Sequence, residues 1–527
     1  MKKYVIGLIF LAVFAVGIAA VVVTNKTPIQ NFIVAGTDVM LYFNNDPKYV
    51  EATKNMNEFM RNILKEEGNL SEDEMALNKK IEDAVKKMRQ IMVIHTEQNI
   101  KDVKKAEDLN LFIVLEAEES LLKDFEDAVK KDGKSVEEVE KGYYKLALGE
   151  KVTKAVTGGQ EIDAAVEDAI DNGALYFTKS SEYLVCSFSL EKLKSFVAKA
   201  GKKEQSKVYV DFFNANKAKN LGFGQADIGT ILKQAGVQFP QNNYVEELNF
   251  IKLFTNYNIA NKETTVTYEL TGKGKLFSII DSSKLKERKL ATLVSDNTFY
   301  FSNNSFKALG EMILEEAKKN QMGAMYASMA DSMLGEPLPK FLDNIGDEIV
   351  VAVDNSSEKY GITMITNLKS QDRMKKSLEY MGFKKSGTVY TDGRGETVTF
   401  KDKKMYITTG QDSKKTAGKK ANYSKEITKD TVMFMLIDGA IAGKLAPELS
   451  GAKMLVRARA SGNNLALDCK LDEESVKKFI VWAFKESKEL AAKKEAEAKE
   501  REAFLKMMQE EENTTESAVE TTEAAVE

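Results

Sequence analysis

The chain has 527 residues, 30% of them charged, with a net charge of −4 and only two cysteines. That length calls for more than one core, the cysteine count excludes a disulfide-stapled small scaffold, and the balanced charge excludes the broad basic field of a nucleic-acid binder. The final fifteen residues hold four glutamates and no lysine or arginine, so this tail carries the net charge.

Lys2 and Lys3 precede an uncharged run from Tyr4 to Val23. At about 1.5 Å per residue such a run, as a helix, matches a bilayer of roughly 30 Å. The flanking lysines leave the N-terminus cytoplasmic, with the bulk of the chain periplasmic or extracellular. Residues 1–26 therefore read as a single-pass anchor, with a cleaved signal peptide as the alternative.

A first module is expected over residues 32–285. It begins with a strand ending at Phe43 and continues with helical patterns over 47–67 and 70–89, the second opened by the capping box Ser71-Glu-Asp-Glu74. Strands are predicted near 91–94 and 112–115, a helical insertion near 117–173, a hairpin over 176–188, a strand over 208–213, and a closing hairpin over 250–270. In the last, Val266, Tyr268 and Leu270 alternate with polar residues, the mark of a sheet with one wet face. A second module is expected over 293–472, where Leu465, Leu467, Cys469 and Leu471 alternate in the same way. Residues 473–512 read as a long charged helix, with Val476, Phe479, Ile480, Ala483 and Phe484 as its docking stripe and coiled-coil character further on. Residues 513–527 read as a disordered acidic tail.

The modules are linked by an internal repeat. Asp38-Val-Met-Leu-Tyr42-Phe43-Asn44-Asn45 recurs as Asp296-Asn-Thr-Phe-Tyr300-Phe301-Ser302-Asn303, 258 positions later, and Ile91–Ile94 falls opposite Ile349–Ala352 at the same spacing. Phe112–Leu115 is matched with Ile362–Ile365, 176–188 with 397–408, Ala200–Lys203 with Ala417–Lys420, and Val208–Phe213 with Val432–Ile437. The fold class that follows is α+β: two tandem related modules of antiparallel sheet with packed helices, an N-terminal transmembrane helix and a long C-terminal helix.

Catalytic motifs are scarce. The one histidine, His95, lies in an apolar strand, and its repeat partner is Val353, which favours a structural role. No phosphate loop, zinc-protease motif or nucleophile elbow is present. Ser189-Leu-Glu-Lys192, Ser295-Asp-Asn297 and Lys415-Thr-Ala417 follow the order of penicillin-binding motifs, but alanine replaces the glycine the third motif needs. No catalytic residue, cofactor or metal ligand is therefore assigned, and whether Cys186 and Cys469 pair is left open. Two binding candidates remain. Lys202 and Lys203, with Lys414, Lys415, Lys419 and Lys420, form lysine-rich loops at the matching point of both modules, suited to an anionic partner. Met322, Met325, Met329 and Met333 share one helix face and form a candidate apolar groove.

The Ala35-Gly-Thr-Asp38 entry into a strand, the Gly346–Ala352 strand and the Tyr390-Thr-Asp-Gly393 turn resemble those of uncharacterised bacterial envelope proteins with one N-terminal anchor and repeated α+β domains. The resemblance supplies a plan of elements over residues 35–470 and no catalytic residues. The expected function is a membrane-anchored envelope protein acting as a non-enzymatic binding or scaffold platform; a lipid or hydrophobic-ligand carrier is the alternative, and an envelope hydrolase the second. Expected partners are the membrane, through residues 4–23, and an envelope protein, anionic polymer or lipid, with no nucleic acid.

Overall fold

A computed structural model describes residues 29–44, 88–98, 106–117, 136–147, 174–180, 183–234, 244–294, 297–354, 361–409, 423–437 and 446–483, with a few isolated positions between them. In the first half the strands are β1 (Thr37–Asn44), β2 (Met88–Thr96), β3 (Leu111–Ala117), β4 (Val136–Glu140), β5 (Tyr143–Ala147), β6 (Ala174–Ser180), β7 (Tyr183–Ser187), β8 (Gly222–Asp227), β9 (Glu247–Asn258) and β10 (Glu263–Lys273). In the second half they are β11 (Thr298–Ser302), β12 (Ile345–Asp354), β13 (Gly361–Leu368), β14 (Lys384–Ser386), β15 (Val389–Thr391), β16 (Glu396–Lys401), β17 (Lys404–Thr409), β18 (Thr431–Ile437), β19 (Met454–Ser461) and β20 (Asn464–Asp472). All belong to one sheet, and every pairing is antiparallel. The spatial order is β4-β5-β6-β7-β3-β2-β1-β8-β9-β10, then β20-β19-β18-β11-β12-β13-β17-β16-β15-β14.

Each strand of the first half has a counterpart ten strands later, and the two sets meet at β10–β20 in mirrored order. Carrying Tyr42 onto Tyr300 through successive registers places Phe223 on Phe434, Phe254 on Arg457 and Thr267 on Asp468. Thr267 is itself the register partner of Asp468, so a pseudo-twofold axis passes between these two residues.

Three local expectations change. Residues 208–213 are helical rather than extended, and the repeat counterpart of β18 is the glycine-rich β8. In the helix Tyr209 and Phe213, four positions apart, are buried while Val208 is exposed, a 3.6-residue period that a short apolar run conceals. The β3–β13 match is displaced by one residue: Val93 faces Ile113 and Val351 faces Met364, which aligns the buried Val114 with the buried Ile365. Within 117–173 lies the β4–β5 hairpin, the counterpart of β14–β15.

The described helices are α1 (Leu190–Gly201), α2 (Lys207–Asn216), α3 (Ile228–Gln234), α4 (Lys275–Ile280), α5 (Phe306–Ala317), α6 (Gln321–Leu334), α7 (Leu338–Asn344), α8 (Gln371–Tyr380) and α9 (473–483). On one face of the sheet, Met40, Tyr42, Ile94 and Phe223 pack beneath Leu193 and Phe196 of α1 and Tyr209 and Phe213 of α2. On the same face of the second half, Tyr300, Val350 and Phe434 pack under Leu290, Val294 and Ile427. The opposite face is covered at its flanks. Phe306 of α5 and Met374 and Leu378 of α8 seal a core over Val398 and Met405, while Ile113, Phe177 and Cys186 form a smaller core in the first half.

The expected architecture is corrected in two respects. The two modules share one continuous sheet, because β10 and β20 pair over nine residue positions. No helix among the described residues is long and apolar enough to cross a membrane, the longest helical element having 14 residues, so the transmembrane helix, the signal-anchor assignment and single-pass topology do not stand in the described fold. The run 4–23 on which they rested lies outside the described residues, as does the chain beyond 489, including the far part of the long helix and the acidic tail.

Candidate functional site

The register decides what each face of the central strands presents. Ile251 and Leu253 of β9, Tyr268 and Leu270 of β10, and Leu465 and Leu467 of β20 occupy directly paired positions, so all six project from the same face. Among the described residues that face is covered at its flanks and, around Ile437 of β18, by Phe479 and Trp482 of α9. Tyr268 is 46% exposed, and Ile251, Leu467 and, further along on β11, Phe299 are exposed as well. In the first half, Leu41 and Phe43 lie over Gly222 and Gly224: a Cβ on Gly224 would stand 2.2 Å from Leu41 Cδ2, and one on Gly222 2.8 Å from Phe43 Cδ1. Over β9, β10 and β20 this face is thus open at Ile251, Tyr268 and Leu467, an apolar patch roughly 10 Å across at about 4.8 Å per strand, while Phe43 of β1 and Val456 and Ala460 of β19 on the same face are buried and Ile437 of β18 packs with Phe479 and Trp482. The alternation at Val266–Leu270 and Leu465–Leu471 is present in the structure, but the apolar side is the wetter one.

The polar side of the same strands is half-buried, and at its centre one charge is fully buried. Asp468, 2% exposed, sits on the pseudo-twofold axis. Its Oδ2 accepts from Arg457 Nε at 2.9 Å and Arg459 Nε at 2.8 Å, and its Oδ1 accepts from Arg459 Nη2 and Thr267 Oγ1, both at 2.9 Å. Burial works to raise the Asp468 pKa, but the hydrogen bond and charge of Arg459, helped by Thr267 and Arg457, hold it below the usual carboxylate range. Glu426 and Asp430 stand 3.6 Å from Arg457 and Arg459, so both arginines have a second anion.

Each half also buries a tyrosine and a carboxylate beside a half-buried carboxamide. In the first, Tyr42 donates to Gln90 Oε1 at 3.1 Å, and Gln90 Nε2 donates to Glu116 at 2.7 Å. In the second, Tyr300 donates to Glu348 Oε1 at 2.9 Å, and Asn367 Nδ2 lies 3.5 Å from Glu348 Oε2. Acid and amide have exchanged strands. Burial raises the Glu348 pKa against the hydrogen bonds from Tyr300 and the Leu290 amide, while burial and Glu348 push the Tyr300 phenol up to about 12. These groups bridge strands inside the core.

The remaining sequence candidates are dispersed. Met322, Met325, Met329 and Met333 share one side of α6 and are 48–66% exposed. That helix turns its small side inward, with Ala327 buried and the Gly323 Cα close against Ala317, so the methionines line an outward face rather than a cavity. Lys202 and Lys203 end α1 on the surface, with Lys203 at φ +58°; Lys414, Lys415, Lys419 and Lys420 lie outside the described residues. His95 is buried with its Nδ1 2.6 Å from Asp38 Oδ1, and the Tyr209 hydroxyl donates to the Asp38 carbonyl, so the histidine clamps the start of β1. Ser189 precedes α1, and Lys192 donates to the Asp108 carbonyl at 2.5 Å; Asn297 belongs to the other half, and Lys415 lies outside the described residues. Cys186 and Cys469 are both free. They lie on β7 and β20, seven strands apart in the sheet order, a separation on the order of 30 Å that no disulfide spans.

No group of three or more metal-ligating side chains occurs among the described residues. A pocket of about 200 Å³ lies beside α3, lined by Asp227, Thr230, Lys233, Glu247 and Phe250 among others. Compared with protein-family models, curated proteins and solved structures, the chain gives no match to any of them.

Proposed function

We propose that this is a non-enzymatic binding protein whose working surface is the open apolar face of the central strands, and that its partner presents an amphipathic helix to that face. The observation that carries the proposal is the exposure of Tyr268, Leu467, Ile251 and Phe299 on one face of a sheet whose other face holds the buried Asp468 and the helix-covered cores. Contiguous exposed apolar surface of this kind marks interaction sites. An amphipathic helix laid across it would bury the aromatic and aliphatic anchors with its own apolar stripe. The methionines of α6 lie on the same side of the sheet, since α5 and α7, against which α6 packs, cover the flank of that face. An enclosed lipid carrier is less favoured: the pocket beside α3 is smaller than the roughly 300 Å³ at which drug-sized ligands begin to be enclosed, and it is not lined by the methionines.

The test is native mass spectrometry of the chain isolated gently from its producing cells, compared with a Leu467→Lys variant of unchanged circular dichroism. A stoichiometric protein companion, retained by the wild type and lost from the variant, is expected. A lipid mass on each chain would move the argument to a carrier, and a bare chain would overturn the proposal.

A further inference from the structure

The sheet has two ends, and they carry opposite charge. At one end is β4, Val136-Glu-Glu-Val-Glu140; among the described residues it pairs only with β5. Glu137, Glu138 and Glu140 are all exposed. At the other end is β14, Lys384-Lys-Ser386, which among the described residues pairs only with β15 and is exposed along its whole length. Among the described residues each edge has a row of backbone N–H and C=O groups without a strand partner, which is a template for another strand.

We propose that the chain associates head to tail with further copies of itself, β14 of one copy pairing with β4 of the next so that the sheet continues across the junction. Strand direction permits it. The twenty described strands, all antiparallel, form an even series, so β4 and β14 run in opposite senses within one copy. A second copy placed beside the first by translation therefore brings β4 antiparallel to β14. Antiparallel pairing requires that sense, and it needs no rotation of the incoming molecule.

Charge selects this pairing over its alternatives. Neighbouring residues of a strand project to opposite faces, so Glu137 and Glu138 place one carboxylate on each face of β4, while Lys384 and Lys385 place one ammonium on each face of β14. The registers place Lys385 and Glu138 on one face and Lys384 and Glu137 on the other, so a contact that opposes one pair directly sets the other pair diagonally, with unlike charges on each face. A two-fold contact of β4 with β4 would oppose carboxylates, and one of β14 with β14 would oppose ammonium groups. Charged edges of one sign at both ends would keep copies apart; edges of opposite sign repel like ends only. The contact is heterologous, so its product is a ring if the repeat closes and an open chain if it does not. The apolar face of the central strands takes no part in it.

Sedimentation velocity of the full chain over a range of protein concentration, at low and high salt, tests the proposal. Association that grows with concentration and weakens at high salt is expected. Lys384→Glu/Lys385→Glu gives two acidic edges, and Glu137→Lys/Glu138→Lys gives two basic edges; each double variant alone is expected to lose association by at least tenfold. An equimolar mixture of the two variants is expected to regain it, because every acidic edge then finds a basic one. Circular dichroism confirms that each variant is folded. A wild type that stays monomeric at all concentrations, variants that associate as the wild type does, or a folded mixture that remains monomeric would each overturn the proposal.

Discussion

Replacing Asp468 by asparagine removes the charge at the axis with little change of shape. The carboxylate is almost fully buried and takes three hydrogen bonds from two arginines and one from Thr267. Removing one partner of a buried ion pair costs about 3–5 kcal/mol. Here the arginines keep Glu426 and Asp430 at 3.6 Å, and the amide oxygen still accepts from Thr267, which places the loss near the lower end, about 3 kcal/mol. The pH dependence gives a second handle. The folded pKa of Asp468 is depressed, so its stabilisation is present in full above the unfolded value of about 3.9 and fades as pH falls through the folded value. The deficit of Asp468→Asn should therefore persist from pH 7 to about pH 4 and shrink below that. Urea unfolding followed by the fluorescence of Trp482, the one tryptophan, reads this directly, because Trp482 packs against Leu449 in the half that carries Asp468. A deficit under about 1 kcal/mol at pH 7, or one equally large at pH 3, would refute the assignment of the axis charge as a stabilising group.

Glu348→Gln keeps acceptors for Tyr300 and the Leu290 amide and removes a group whose pKa burial raises. A raised carboxyl stabilises the fold least when ionised, so stability in the wild type should fall as pH rises from the ordinary glutamate range through the folded value; thermal melts of the variant should lose that slope. Gly224→Ala brings a Cβ against Leu41 and 2.9 Å from the Met40 carbonyl, and should lower stability by about 1–3 kcal/mol in the same urea assay. Cys186 is buried with its thiol pushed up to about 12, whereas Cys469 is half-buried. Alkylation at pH 8 should modify Cys469 first and reach Cys186 only in denaturant, with no disulfide on non-reducing gels.

What could be read beforehand follows from how strongly each residue pattern depends on its surroundings. The aromatic strands β1 and β11 announce themselves through Tyr42-Phe43 and Tyr300-Phe301, and the 258-residue spacing carries correctly onto β2 and β12. β8 was hidden because Gly222-Phe-Gly224 lacks side chains with strand preference; those glycines are required by the way Leu41 and Phe43 lie over them. Val208–Phe213 read as a strand because a short apolar run carries no period of its own, and packing of Tyr209 and Phe213 against β1 and β8 settles it as helix. Alternation in β10 and β20 identified the two faces but not which one meets water, since that depends on where α1, α2 and α5 come to rest. The same holds for α6, whose methionines share a face while its alanines and glycine face inward. The opposite charges of β4 and β14 were legible as local composition, but only the order of strands reveals that both are edges.

The axis between Thr267 and Asp468 explains why the two halves differ where they meet. If the halves were identical there, the axial pair would be two aspartates, with carboxylates opposed across adjacent strands, or two threonines, with no anion for the arginines. The chain instead places aspartate on β20 and threonine on β10, with Arg457 and Arg459 on the neighbouring β19, where the equivalent positions of the first half are Phe254 and Asn256. Thr267→Asp should therefore destabilise by about 2–4 kcal/mol, since a second buried carboxylate meets the first without a new cation. The exchange Thr267→Asp/Asp468→Thr should also stay destabilised, because the carboxylate moves one strand further from Arg457 and Arg459 and loses their hydrogen bonds. If the exchanged protein instead unfolded in urea at the wild-type midpoint, any carboxylate on the axis would suffice, and the asymmetry of β9 and β19 would carry no energetic meaning.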